Sequence, residues 1–203
     1  MTRTRVRILG CLLGVACALP AGSAQATSAG HHDVVATAVN RTDSTQVDDF
    51  AWGISRQRGG AVVDQSNAAH AHSSCTDCGS TAIAFQIVLV SGSPTTVIPR
   101  NEAIAINENC TRCQTAAEAR QFVRVVDERV RFTGQGLHEL ADVRRELRAL
   151  TYADLPLADL HQAVEREEAR VDDVLDNDLV TVANPRQDAD VLDAQLLQDS
   201  DAG

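Results

Sequence analysis

Four cysteines in two short motifs are the residues best suited to chemistry in this chain. Cys75 and Cys78 lie in Cys-Thr-Asp-Cys, and Cys110 and Cys113 lie in Cys-Thr-Arg-Cys. An even number of cysteines in an exported protein usually forms disulfides, although the sequence does not give the pairing. We therefore predict that all four are disulfide-bonded.

Two other chemistries stay open for the same cysteines. Paired Cys-x-x-Cys motifs are the thiolate pattern of zinc ribbons, so zinc is the alternative cofactor if Cys75, Cys78, Cys110 and Cys113 are reduced. A Cys-x-x-Cys pair can also exchange disulfides when one thiol has a lowered pKa. Both motifs lead into predicted strands instead of the helix N-terminus that favours a thiolate, so the redox alternative is weaker.

Other motifs indicate no catalytic centre. His138 and Glu139 begin a helical His-Glu pattern, but Asp142 stands where a zinc protease helix has its second histidine. The sequence contains no nucleophile elbow, phosphate loop, dinucleotide fingerprint or calcium loop. We therefore expect a protein that is not an enzyme and has no cofactor, with zinc as the alternative.

The elements that carry the cysteines form an internal repeat of about 35 residues. A shift of 35 superposes the two motifs and also matches the chain at every second position beyond them. The matches are Ala82 with Ala117, Ala84 with Ala119, Gln86 with Gln121, Val88 with Val123 and Val90 with Val125. Matches at alternate positions predict β-strands whose matched side chains point inward. Gln86 and Gln121 are then structural polar residues, bonded to each other or to the backbone.

The predicted fold is α+β, an antiparallel β meander of these tandem units followed by a C-terminal helical hairpin. Strands are predicted near 34–40, 50–57, 61–72, 80–90, 96–106 and 115–126 within a β domain over 34–132. The strand over 80–90 is apolar on both faces, which predicts burial on both sides. Two apolar stripes predict the hairpin over 133–182, the first comprising Leu137, Leu140, Val143, Leu147 and Leu150 and the second comprising Leu157, Leu160, Val164, Val171, Val174 and Leu175.

The N-terminal segment predicts export. Three arginines, an apolar stretch over 8–19 and Ala24-Gln25-Ala26 form a signal peptide over 1–26, cleaved after Ala26. A lipoprotein is the alternative, because Cys11 and Cys17 lie in the apolar stretch. Residues 27–33 are a predicted flexible linker, and 183–203 a predicted disordered acidic tail.

Charge and hydropathy limit the partners. The formal net charge is −10, so phosphate backbones and anionic membrane surfaces are repelled. No later apolar run has the roughly 18–20 residues that a membrane-spanning helix needs. We predict a secreted or extracytoplasmic protein that neither binds nucleic acid nor spans a membrane. Its predicted partner is a protein or peptide.

A family resemblance supports the same localisation. Residues 67–90, 101–123 and 130–150 resemble, in order, the cysteine-rich extracytoplasmic region of actinobacterial proteins named as peptide zinc metalloproteases. The resemblance covers roughly residues 34–180, but the chain has neither the His-Glu-x-x-His helix nor the membrane spans of the protease part. It therefore implies an extracytoplasmic accessory domain without protease activity.

Overall fold

The computed structural model of this protein describes residues 33–60 and 62–182. Six long strands wind into three stacked coils, and each coil contributes one strand to each of two parallel sheets. The first sheet contains β1 (Val34–Asn40), β3 (Val62–Ser73) and β5 (Thr96–Asn107). The second sheet contains β2 (Gln46–Arg58), β4 (Gly79–Ser91) and β6 (Gln114–Val126). Coil 1 is β1 with β2, coil 2 is β3 with β4, and coil 3 is β5 with β6.

The predicted antiparallel meander is therefore wrong, although the predicted strand positions agree with the observed ones. All pairings within the two sheets are parallel, and consecutive strands lie in opposite sheets. Alternating inward residues identify a strand and its faces but carry no information about strand direction. Ala82 pairs directly with Ala117, so 35 residues correspond to one coil around both sheets and not to one hairpin.

Small side chains fill the space between the sheets near the cysteine loops. This cluster of buried alanines and one valine comprises Val34, Ala36, Ala38, Ala69, Ala71, Ala82, Ala84 and Ala119. Alanine leaves room for the two backbones to approach closely while still excluding water. Farther along the strands, Val63, Val88 and Val90 form a second inner cluster.

A helical pair covers the outer face of the second sheet. It consists of α1 (Gly134–Thr151) and α2 (Leu157–Asn177), flanked by the antiparallel pair β7 (Val130–Phe132) and β8 (Leu179–Thr181). Their buried faces pack against the outer side chains of β4, namely Ile83, Phe85, Ile87 and Leu89. As predicted, β4 is buried on both faces.

Local contacts fix the position of this helical pair. Thr133 caps α1 by accepting a hydrogen bond from the Gly136 backbone N–H at 2.9 Å, and its hydroxyl bonds Asp178 at 2.5 Å. A side chain at position 136 would lie 2.6 Å from the Asp178 Cβ, so this close approach requires glycine. Leu157, predicted to point inward, is exposed at the first position of α2, whereas Leu155 and Leu160 pack against the core.

The outer face of the first sheet keeps several large apolar side chains in solvent. They are Val35, Val39, Ile98, Ile104 and Ile106. Among the described helices, none is long and apolar enough to span a membrane. The predicted signal peptide over 1–26 and the predicted acidic tail over 183–203 lie outside the described residues.

Candidate functional site

The loops that join the two sheets stack on one rim of the molecule. Thr76 forms a parallel bridge with Thr111, and the Asp77 backbone N–H donates to the Thr111 carbonyl at 2.9 Å. The ladder extends to coil 1, where the Ser44 N–H donates to the Thr76 carbonyl at 3.0 Å. The backbone pairing of the sheets therefore continues through the loops, which holds the cysteine motifs in register.

Each loop turns at a residue in the left-handed region, and these residues stack. Ser44, Asp77 and Arg112 have φ values of 57°, 51° and 56°. The Arg112 guanidinium forms a two-point ion pair with the Asp77 carboxylate in the neighbouring coil. The hydrogen bond from Arg112 lowers the pKa of Asp77 below its usual range. This exposed pair joins the tips of the two cysteine loops.

The predicted disulfides are present, and each closes within its own loop. Cys75 bonds Cys78, and Cys110 bonds Cys113. The Sγ atoms of Cys78 and Cys113 lie only 3.3 Å apart, so the two disulfides are in contact. The predicted antiparallel meander would place the two cysteine loops two strand spacings apart, but in the parallel stack they belong to adjacent coils with one spacing between them.

The two disulfides differ in their access to solvent. Cys75 and Cys78 are each 6% exposed, whereas Cys110 and Cys113 are half-buried. The first motif lies between coil 1 and coil 3, and the second lies in the last coil of the stack. A reagent in solution therefore reaches the Cys110–Cys113 disulfide more easily.

A buried layer of hydroxyls and amides separates the sulfurs from the alanine core. The Thr115 and Ser80 hydroxyls each lie 2.8 Å from the Ser73 hydroxyl. In coil 1 the Asn40 amide donates to the carbonyls of Gly79 and Thr45 at 2.7 and 2.8 Å. Since these groups satisfy each other, the layer stabilises the rim and offers no unpaired donor to a ligand.

Gln86 and Gln121 form a hydrogen bond on the inner face of the second sheet. The Gln121 side-chain amide donates to the Gln86 Oε1 at 2.6 Å and to the Gln65 carbonyl at 3.1 Å. Gln86 is fully buried. These contacts link β6 to β4 in its own sheet and to β3 in the other sheet, which gives both glutamines a structural role.

Zinc binding by the cysteines would require reduction. The Sγ atoms of Cys75, Cys78 and Cys113 lie within 4.8 Å of one another, close enough to share one ion. Zinc is held by thiolates, and sulfurs joined in disulfides are not thiolates. Arg112, the cation within the second motif, is already paired with Asp77, so its charge is largely neutralised and favours a thiolate less.

The helical acidic groups do not assemble into a catalytic or metal centre among the described residues. Asp142 contacts His138 at 3.5 Å and Arg145 at 2.7 Å, whereas Glu139 binds Arg170 of the other helix at 2.7 Å. Farther along α2, the carboxylates of Asp172 and Asp176 accept from Arg124 of β6. These ion pairs connect helices and sheet.

The exposed edge formed by β5 is a surface that the sequence did not predict. Every residue of β5 except Val97 is exposed, and no described strand pairs with the edge that faces away from β3. On its outer face, Ile104 and Ile106 follow Glu102, which lies 3.8 Å from His70 of β3. The Ala-Ile-Ala-Ile run is apolar on both faces, which is typical of a strand buried on both sides, so only the position of β5 at the end of the stack explains its exposure.

Comparison with known proteins gives no relative for this chain. No protein-family model, curated protein or solved structure matches it. The resemblance to the extracytoplasmic region of the actinobacterial proteins therefore stays a prediction.

Proposed function

We propose that this protein is an extracytoplasmic, non-enzymatic module that binds an extended segment of another polypeptide by adding it as a strand beside β5. The observation that carries the proposal is the exposure of β5 along twelve residues, combined with the absence of a described strand at its second edge. Strand addition satisfies the backbone groups of such an edge and uses side-chain positions on alternate faces for specificity.

The edge is protected in its first half and open in its second. Pro99, Arg100 and Glu102 are residues of the kind that discourage edge pairing, whereas residues 103–107 are alanines, isoleucines and one asparagine. Pro99 pairs with Gln65 of β3, and a proline fits where its nitrogen faces away from the neighbouring strand. Because backbone groups alternate, Ala103 and Ala105 also direct their N–H groups to the open edge.

Charge and side-chain size define the segment that fits. The chain has a net charge of −10, and Glu102 borders the edge, so a basic residue beside Glu102 is favoured. Apolar residues fit beside Ile104 and Ile106, and small residues fit beside the inward Ala103 and Ala105. The same net charge opposes stacking of a second copy on this edge, so we assign the position to a different, basic polypeptide.

A peptide that imitates the first strand of one further coil tests this assignment. The probe is the twelve-residue β5 sequence with lysine at the position of Glu102, labelled for fluorescence anisotropy. We expect saturable binding that Ala105→Pro weakens at least about tenfold, which corresponds to ~1.4 kcal/mol. The proline removes one edge donor and blocks close approach.

A matched proline at the other end of the stack provides the control. The Thr37 N–H of β1 donates to the Asp49 carboxylate at 2.6 Å, so this backbone position faces away from β3. Val39, two residues later, has the same orientation, and Val39→Pro should leave peptide binding unchanged. Circular dichroism verifies that both variants fold.

Two results would contradict the proposal. One is the absence of peptide binding to the folded wild-type protein, or equal binding to Ala105→Pro. The other is oligomerisation that increases with protein concentration in analytical ultracentrifugation and that both proline variants abolish. That result would mean that the β5 edge pairs with the β1 edge of a second copy.

A further inference from the structure

We infer that the two stacked disulfides form an exchange pair, in which reduction of Cys110–Cys113 leads to a new disulfide between Cys78 and Cys113. The 3.3 Å contact between their Sγ atoms places a future thiolate directly beside the disulfide that it would attack. This reaction is independent of polypeptide binding at β5.

The backbone already has the spacing that the new bond needs. Cys78 and Cys113 immediately precede Gly79 and Gln114, which are paired in neighbouring parallel strands, and the Gln114 N–H donates to the Cys78 carbonyl at 3.1 Å. Neighbouring strands lie about 4.8 Å apart. Disulfides accept Cα separations of about 4.4–6.8 Å, so the cross-coil bond requires no strand shift.

Solvent access sets the order of events. An external dithiol attacks the half-buried Cys110–Cys113 disulfide at the Cys110 sulfur, which forms a mixed disulfide and releases the Cys113 thiolate. The second thiol of the reductant then closes its own disulfide and releases Cys110 as a thiol. The reductant loses two electrons and two protons in total, and the protein gains them.

The internal step follows without further reductant. The Cys113 thiolate attacks the Cys78 sulfur, the Cys78–Cys113 bond forms, and the Cys75–Cys78 bond breaks. Cys75 leaves as a thiolate and takes up the proton that Cys113 gave to solvent. A single two-electron reduction of the more accessible Cys110–Cys113 disulfide thus frees the buried Cys75 and joins coil 2 to coil 3.

The tryptic map of the chain distinguishes the isomers. Arg112 lies between Cys110 and Cys113, so trypsin separates peptide 101–112 from peptide 113–120. In the native protein these two peptides are joined to each other, and Cys75–Cys78 is internal to peptide 59–100. After exchange, peptide 59–100 is joined to peptide 113–120, and peptide 101–112 carries a free thiol.

The exported wild-type protein, without the predicted signal peptide over 1–26, is treated with limiting dithiothreitol and quenched in acid. Free thiols are then labelled with N-ethylmaleimide under denaturing conditions, and the peptides are mapped by mass spectrometry. We expect label on Cys75 and Cys110 together with the 59–100/113–120 cross-link. Label confined to Cys110 and Cys113, with Cys75–Cys78 intact, would overturn the inference.

Two double variants test the same geometry by oxidation of the two cysteines that each variant keeps in the motifs. In the two motifs, Cys75→Ser with Cys110→Ser leaves Cys78 and Cys113, which we expect to form one disulfide under oxidised glutathione, with a loss of two hydrogens. The matched variant, Cys78→Ser with Cys113→Ser, should keep Cys75 and Cys110 as free thiols. Equal cross-linking in both variants, or none in the first, would contradict the proposed contact.

Discussion

The two consecutive strands β4 and β5 have similar lengths and alternating apolar residues, yet their surroundings are opposite. In β4 every residue except Ser91 is buried, whereas in β5 every residue except Val97 is exposed. β4 is the central strand of the sheet that the helices cover, and β5 ends the sheet whose outer face is exposed. Burial in this stack is therefore decided by position more than by the hydropathy of the strand itself.

The comparison of β4 with β5 also distinguishes the sheet that contributes most to stability from the sheet edge that we propose binds a partner. Parallel sheets are normally covered on both faces, and only the second sheet meets that expectation among the described residues. The first sheet contributes its inner alanines to the core but leaves Ile104 and Ile106 outside. Substitutions in β5 should consequently alter recognition, whereas substitutions in β4 should alter folding.

Removal of a large side chain should produce the greatest difference between the two strands. Phe85 is fully buried in β4, with its ring centroid 6.1 Å from those of Trp52 and Phe122. Phe85→Ala is expected to lower the free energy of unfolding by about 3–5 kcal/mol because it leaves a cavity in a close-packed core. Chemical denaturation followed by circular dichroism measures the change.

Ile104→Ala in β5 is the matched substitution on the exposed strand. Its expected cost is about 1–2 kcal/mol, below that of Phe85→Ala, since Ile104 is already 36% exposed. A loss similar to that of Phe85→Ala would mean that β5 is covered in solution, which would contradict the comparison and the proposed binding edge together.

A buried polar contact of β4 should have the next largest effect. Gln86→Leu removes the acceptor of the 2.6 Å hydrogen bond from Gln121, and an unmade buried hydrogen bond costs about 1–3 kcal/mol. Denaturation of the wild type, both single variants and Gln86→Leu with Gln121→Leu gives a double-mutant cycle. We expect a coupling of about 0.5–3 kcal/mol, and strict additivity would show that the amides act independently.

The sequence predicts the strands, their inward faces and the disulfides, but it does not predict how the strands are joined. Alternate matches such as Gln86 with Gln121 define faces, and these residues do pair in register. The direction of pairing depends on whether each loop crosses to the other sheet, which a loop of five or six residues does not reveal. In the first sheet β3 and β5 are spaced by 34 residues, so Ala69 pairs with Ala103, whereas a uniform shift of 35 matches Ala68 with Ala103.

The candidate site was only partly predictable for the same reason. Residue type and the predicted export signal favour oxidised cysteines, and the structure has a disulfide within each loop. The contact between Cys78 and Cys113 depends on the loops being one strand spacing apart, which follows from parallel stacking and not from the motifs. The exposure of β5 depends on where the stack ends, and an alternating Ala-Ile pattern carries no such information.

The smallest expected effect concerns α2, one of the two helices that cover β4 and leave β5 exposed. His161 of α2 contacts the Glu118 carboxylate of β6 at 2.9 Å, and this hydrogen bond raises the pKa of His161 above its ordinary value of 6.5. The stabilisation is fully present below that ordinary pKa and is lost as the pH rises through the folded-state pKa. The thermal midpoint of the wild type should therefore fall from about pH 6 to about pH 8 more steeply than that of His161→Gln. Glu118→Gln removes this contact from the strand side but leaves Glu165 3.2 Å from His161, so its slope should lie between those of the wild type and His161→Gln. The double variant should match His161→Gln. Identical pH profiles for wild type and His161→Gln would show that this contact does not help to hold α2 on the second sheet.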